Sequence, residues 1–349
     1  MKKMNMKKTL LAACAALVPL LASAQADIHF SQFYETSILR NPALTGIFTN
    51  DYKFGGYYRS QWSSISHPYV TGLGDAEVRL PVNKMSEDYV SLGLLGYADR
   101  AGSIDQSIVA FYPAINYSKS VNPERSSFFS MGITGGYVQY SFDPSKATFD
   151  NQFQFGAFDP NNPSMENITS NKMTMWDLGA GVNYNTTGGP NNNVTYIMGV
   201  SGYHFTQPRF TYDPSAKKSV TENLRLNANG AIAFDINRNV TTQMQLNYAQ
   251  QGTYTEIIGG ALFTWQETTL TTNPLYSLTC GVLYRYQDAI IPVVKMKYKN
   301  SAIGVSYDVN VSTLKEASNL RGGAEVSIFI GGNFYDKNGV LRKTVCPKF

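Results

Sequence analysis

Chemistry at neutral pH needs a base, a nucleophile or a set of metal ligands, and the histidines are the first place to look. The chain has three: His29, His67 and His204. A hydrolase would set a serine or aspartate nucleophile beside a positioned histidine. No motif joins any of these three to one, and His67 stands in a turn before Pro68. CxxC, HExxH and Walker patterns are missing from the sequence. Asp143, Asp150, Asp159 and Glu166 lie among amides, but their spacing is not that of a calcium loop. The reading is therefore a non-enzyme without a metal or other cofactor. Beyond the leader described below, the cysteines are Cys280 and Cys346. An export route would permit a disulfide between them, but Cys280 reads better as a small apolar strand residue.

The remaining chemistry-bearing set is ionic: Arg59, Asp75, Glu77, Arg79, Asp99, Asp177, Arg225 and Asp235. Each falls in a segment with a side-chain period of two. In 70–80, Val70, Gly72, Gly74, Ala76, Val78 and Leu80 oppose Thr71, Leu73, Asp75, Glu77 and Arg79. In 174–185, Trp176, Leu178, Ala180, Val182 and Tyr184 oppose Met175, Asp177, Gly179, Gly181, Asn183 and Asn185. That period belongs to strands with one apolar and one polar face.

Fourteen such segments are expected, over 51–63, 68–81, 87–100, 105–120, 125–142, 172–186, 193–206, 222–237, 239–252, 255–267, 274–288, 289–299, 301–310 and 321–333. Many run well past the roughly 5–6 residues usual in soluble sheets. The fold class expected is all-β: a transmembrane antiparallel barrel whose apolar faces meet outer-membrane lipid. Ions of mixed sign then face the lumen, where they suit cross-bracing of strands or of a plug better than a selective pore. A mean hydropathy of −0.22 fits strands that are only half apolar.

Lys2, Lys3, Lys7 and Lys8, the apolar run 10–21 and Ala22-Ser23-Ala24 read as a cleaved signal peptide over 1–24. Removing it leaves 25 basic and 25 acidic residues, so no basic excess points to nucleic acid. Residues 25–50 lack strand patterning and read as a plug inside the barrel, with a short helix, a stop before Pro42 and a turn at Gly46. The barrel would then occupy 51–349, with a short periplasmic C-terminal tail.

From a periplasmic start, the long connections 143–171, 207–221 and 311–320 fall on the outer side, and the tight ones at Asn237-Arg238 and Asn300 on the inner side. Phe149, Phe153, Phe155, Phe158, Phe210 and Tyr212 stand in the two longest. They could anchor a docked partner or pack their loops onto the rim. Pro113 and Pro292 interrupt two strands, and each could mark a gap or a bulge.

HFSQFYETSILRNPALTG at 29–46, YYRSQWSSI at 57–65, YRYQDAIIPVVKMKYK at 284–299, VSYDVNVSTL at 305–314, GGAEVSI at 322–328 and the terminal CPKF resemble the PorP/SprF family of type IX secretion system membrane proteins. The resemblance runs through essentially the whole mature chain. It implies a Bacteroidota outer-membrane barrel, related in architecture to fourteen-stranded FadL-like barrels. It also implies a role in secretion or gliding, with a large secreted adhesin, held through its C-terminal sorting domain, as partner beside other secretion components. Asn41-Pro42-Ala43 has a counterpart in the plug of FadL-type barrels. With Arg59, Asp75, Glu77, Arg79, Asp177, Arg225 and Asp235 it makes the candidate set for bracing lumen and plug. The alternative functions are a FadL-like transporter of hydrophobic small molecules and a structural porin.

Overall fold

The computed structural model describes residues 27–334 apart from 64–66, 83–86, 155, 167, 169, 213–219, 268–274 and 314. The leader, the C-terminal tail with Cys346, and Phe155 lie outside the described residues.

Fourteen antiparallel strands close into one barrel. They are β1 (Tyr52–Gln61), β2 (Tyr69–Pro81), β3 (Tyr89–Ala101), β4 (Gln106–Asn122), β5 (Ser127–Ser141), β6 (Lys172–Gly188), β7 (Val194–Tyr203), β8 (Arg225–Asp235), β9 (Val240–Gln251), β10 (Tyr254–Gln266), β11 (Tyr276–Arg285), β12 (Ala289–Tyr298), β13 (Ser301–Asn310) and β14 (Arg321–Gly332). Every expected strand is present, its ends within three residues of the expectation. Each strand pairs with its chain neighbours, and β14 closes on β1 through a register that sets Arg59 opposite Glu325. Closure removes the edge that a lipid-exposed sheet could not satisfy.

The alternation sorts the side chains as their chemistry requires. Thr71, Leu73, Asp75, Glu77 and Arg79 are buried inward, while Leu80 is exposed on the other face. Trp176 and Leu178 are exposed while Met175 and Asp177 are buried. The outer surface carries an apolar band that includes Leu94, Ile133, Met198, Leu246 and Ile328. Trp176 with Tyr137 marks one end of it, and Trp265 with Tyr276 and Tyr298 the other. Aromatic girdles of this kind flank the hydrocarbon layer in membrane barrels. Among the described residues no helix is long and apolar enough to cross a membrane. The spanning elements are the strands.

The two longest connections lie at the same end of the barrel. Those after β5 and β7, over 142–171 and 204–224, rise from one end, called here the long-loop end; 236–239 and 299–300 are tight turns at the other. At Pro113 the β4–β5 ladder omits two residue pairs, and at Pro292 the β12–β13 ladder does the same, with the register unchanged across each. Neither proline makes a bulge. The ring of Tyr112 lies against Gly136 at the first interruption. Register shifts occur instead at Ser120/Asn122 and at Asp308/Val309. Cys280 is a free thiol on the exposed face of β11.

Candidate functional site

Residues 27–50 run down the inside of the barrel. Asp27 meets Gln251 and Arg225 near the long-loop end, and Asp51 bonds the end of β14 at the short-turn end. Between them lie a one-turn helix, α1 (Ser37–Arg40), and a 3-10 turn over Pro42–Leu44. Asn41 is extended, as a residue before proline prefers. Its side chain accepts the Ala43 amide and caps the turn that Pro42 begins. Gly46 then takes φ +78°, which lets the chain turn toward β1.

Asn41 is fully buried and reaches the wall through its amide nitrogen. It donates to the Val182 carbonyl at 3.2 Å, the Val200 carbonyl at 3.4 Å and Asn229 Oδ1 at 3.0 Å. This approach is possible because the wall has no side chains there. A Cβ on Gly132 would stand 2.3 Å from the Pro42 carbonyl carbon, and one on Gly181 would stand 2.1 Å from Asn41 Oδ1. Asn41→Ala should therefore lower barrel stability by roughly 1–3 kcal/mol, because Asn229 and the Ala43 amide lose a buried partner. Asn41→Asp should cost more, since a carboxylate has no N–H for the two wall carbonyls. Urea midpoints in detergent would rank the two.

Three ionic clusters join the segment to the wall. In the first, Arg59 on β1 donates to Glu325 on β14, to Asp308 Oδ2 on β13 at 2.9 Å and to Ser31 Oγ at 2.7 Å. Arg285 on β11 donates to the same Asp308 oxygen at 2.9 Å and to Ser31 Oγ at 2.6 Å. Glu325 also accepts the Ser31 and Gln32 amides, the latter at 2.9 Å. All of these side chains are buried. In the second, Glu77 pairs with Lys53 at 2.9 Å and accepts the Gly46 amide at 2.7 Å, and Asp75 faces Lys53 at 3.3 Å. Arg79 donates to the Phe48 carbonyl at 2.9 Å and the Asn50 carbonyl at 2.8 Å.

The third cluster holds the start of the segment. His204 Nε2 is 2.8 Å from Asp27 and its Nδ1 is 3.0 Å from Asp177, while Arg225 is 3.1 Å from Asp27. His204 has φ +63°, a left-handed conformation just past the end of β7. Burial pulls the His204 pKa down, but Asp27 and Asp177 outweigh it and push it up to about 10. Burial raises Asp27, but His204 and Arg225 hold it well below the usual carboxylate range. Glu222, just outside β8, is pushed up by its own burial and then by the charge of Asp27.

A cavity lies on each side of the segment. The one toward the long-loop end holds about 650 Å³ and is lined by Trp62, Tyr69, Tyr97, Tyr140, Phe210 and Tyr254, with Asp99, Glu222 and Glu256. The one toward the short-turn end holds about 610 Å³ and is lined by Arg40, Lys53, Arg238, Lys295 and Lys297 among hydroxyls and amides.

Residues 22–328 match the PorP/SprF family, described as type IX secretion system membrane protein. The chain belongs to the PorP/SprF family. Among solved structures this PorP/SprF chain is similar to a deltaS2S3 mutant of the TodX monoaromatic hydrocarbon channel, at 10% identity over 84% of this chain and 92% of that one, with a TM-score of 0.47. It is similar to a Pseudomonas aeruginosa FadL homologue, at 9% identity over 83% and 92%, with a TM-score of 0.46. It is also similar to the Pseudomonas putida toluene transporter TodX, at 10% identity over 84% and 91%, with a TM-score of 0.42. No curated protein sequence matches it.

Of the residues singled out in the sequence of this PorP/SprF protein, Asn41, Arg59, Asp75, Glu77, Arg79, Asp177 and Arg225 enter the contacts above. Pro42 and Ala43 are buried against β5 at Gly132. Asp235 accepts from Thr241 at 2.8 Å on the neighbouring strand, and Asp99 accepts from Thr71. Phe153 and Phe158 are register partners in a two-residue hairpin and both are exposed. Phe149 is half-buried. Phe210 packs on Tyr140 at 5.1 Å, and Tyr212 on Phe142 at 5.0 Å, which places both on the rim.

Sequence reasoning missed His204, Asp27, Arg285, Asp308 and Glu325 as partners of this lumen. A signal for the last three was present. Ser31, Arg59, Arg285, Asp308 and Glu325 each stand in one of the five internal stretches that carry the family likeness. These stretches, far apart in the chain, meet in one buried cluster at the seam where the barrel closes.

Proposed function

We propose that this protein is a non-enzymatic outer-membrane barrel of the type IX secretion and gliding machinery that helps to secrete or anchor a large surface adhesin. The adhesin's C-terminal sorting domain would dock at the long-loop end, outside the cell, with the short turns in the periplasm and the leader over 1–24 directing export. Membership in the PorP/SprF family carries this reading. The exposed pair Phe153 and Phe158 supports the docking surface, because aromatic anchors dominate protein interfaces. A lumen occupied by the braced segment 27–50 suits a dock better than a conduit. Asn41, Pro42, Ala43, Arg59, Asp75, Glu77, Arg79, Asp177 and Arg225 would hold that segment, and Asp235 would brace strands.

Deleting 149–166 should leave the barrel folded, read as its heat-dependent shift on gels, and abolish adhesin retention at the cell surface. Unchanged surface adhesin would sink the docking site. The second reading, a transporter of hydrophobic small molecules, draws on the aromatic walls of the cavity toward the long-loop end. Mass spectrometry of the purified protein separates the two: a co-purifying large secreted protein favours anchoring, and a bound lipid or hydrocarbon favours transport.

A further inference from the structure

We propose that Asp27, His204 and Glu222 bind a divalent cation of the zinc type, which latches the start of the N-terminal segment to the barrel wall. One ligand atom from each residue lies within 4.8 Å of the other two. The three come from separate parts of the chain: the segment, the residue after β7, and the stretch before β8. A shared cation would tie these parts together.

The surroundings are those of a cation site. His204 Nδ1 is held at 3.0 Å by Asp177, so the ring presents Nε2 toward Asp27. Metal-binding histidines are oriented in this way by a carboxylate on the far nitrogen. Asp177 is itself fixed by the Tyr112 hydroxyl at 3.2 Å. Gln251 donates to Glu222 Oε1 at 2.8 Å and leaves Oε2 for the cation. Asp27 and Glu222 both line the cavity of about 650 Å³, which supplies an entry path.

Charge points the same way. The three carboxylates Asp27, Asp177 and Glu222 surround one fixed cation, Arg225, and a divalent cation on His204 Nε2 would balance the remaining two negative charges. Among the described residues Glu222 has no cationic partner within ion-pair distance. Arg225, 3.1 Å from Asp27 Oδ2, competes for that carboxylate and limits the affinity. One imidazole and two carboxylates suit zinc with a water in the fourth position. Calcium needs six to eight oxygen ligands, and magnesium an octahedral set.

The test is calorimetric titration of zinc chloride into the full mature chain in detergent, untagged, stripped with a chelator and with its cysteines alkylated. One zinc per chain is expected, with at least about tenfold weaker binding in His204→Gln and in Glu222→Gln. Millimolar calcium or magnesium should not displace it. Glu222 lies outside the strands, so Glu222→Gln should keep the heat-dependent gel shift, which separates lost zinc from lost fold. Isotherms unchanged in both variants, substoichiometric zinc, or equal competition by calcium would overturn the latch. None of these outcomes depends on adhesin docking, which the loop deletion tests by itself.

Discussion

Glu325→Ala should destabilise the barrel by roughly 3–5 kcal/mol, the cost of leaving a buried charge without its partner. Glu325 stands opposite Arg59 across the β14–β1 seam and also accepts the Ser31 and Gln32 amides. Its loss leaves Arg59 with Asp308 as its one ion-pair partner among the described residues, and Arg285 already shares that carboxylate. Glu325→Gln should cost less, because it keeps an acceptor for one amide while losing the charge. Removing both sides, Arg59→Ala with Glu325→Ala, should cost less than the sum of the single changes, since the orphaned guanidinium goes too. Urea midpoints at constant m would read these differences. A shift under about 1 kcal/mol for Glu325→Ala would place the pair among ordinary exposed bridges. Lys119–Asp88 at the short-turn end is such a bridge, and its lysine stays in solvent.

The barrel was legible in the sequence because its cause is local. A strand that meets lipid on one face and a filled lumen on the other must alternate, residue by residue, as Trp176 and Asp177 do. Pairing then followed chain order, with the β14–β1 closure as the one contact between strands distant in the chain. The interior was less legible. Asp177 read as a lumen ion, but nothing local marks His204 as its partner, because the pair is made by the fold across β6 and the end of β7. The same holds for Ser31, whose hydroxyl meets Asp308 from 277 residues away. The prolines misled in part. Alternation cannot tell a lost ladder bond from a bulge, and here the register survives at both.

The family stretches gain a physical meaning from this geometry. Ser31, Arg59, Arg285, Asp308 and Glu325 solve one problem: how to close a barrel and seat an N-terminal segment against the closure with buried ions. Each charge is tolerable only while the others are present. Asn41 works by another route, with neutral donors against bare backbone, so its seat depends on what the wall omits.

Gly132→Val and Gly181→Leu should expel the segment while the barrel still forms. The nearest atoms to the added carbons are the Pro42 backbone at 2.3 Å and the bonded Asn41 amide oxygen at 2.1 Å. Backbone cannot rotate away as a flexible side chain can. Overpacking costs about 1–3 kcal/mol, and the orphaned Asn41 partners add a similar amount. A total of roughly 4 kcal/mol raises the undocked fraction about a thousandfold. The strands themselves tolerate the change, since valine suits a strand better than glycine. The expected readouts are protease cleavage within 27–50 and a rise in conductance across planar bilayers, with the heat-dependent gel shift retained. Gly72→Val is the control: a Cβ there meets nothing within 4 Å, so the same side chain should leave cleavage and conductance unchanged. A segment that stays protected in both Gly132→Val and Gly181→Leu would mean that the ionic clusters alone hold it, and that the glycine seat is incidental.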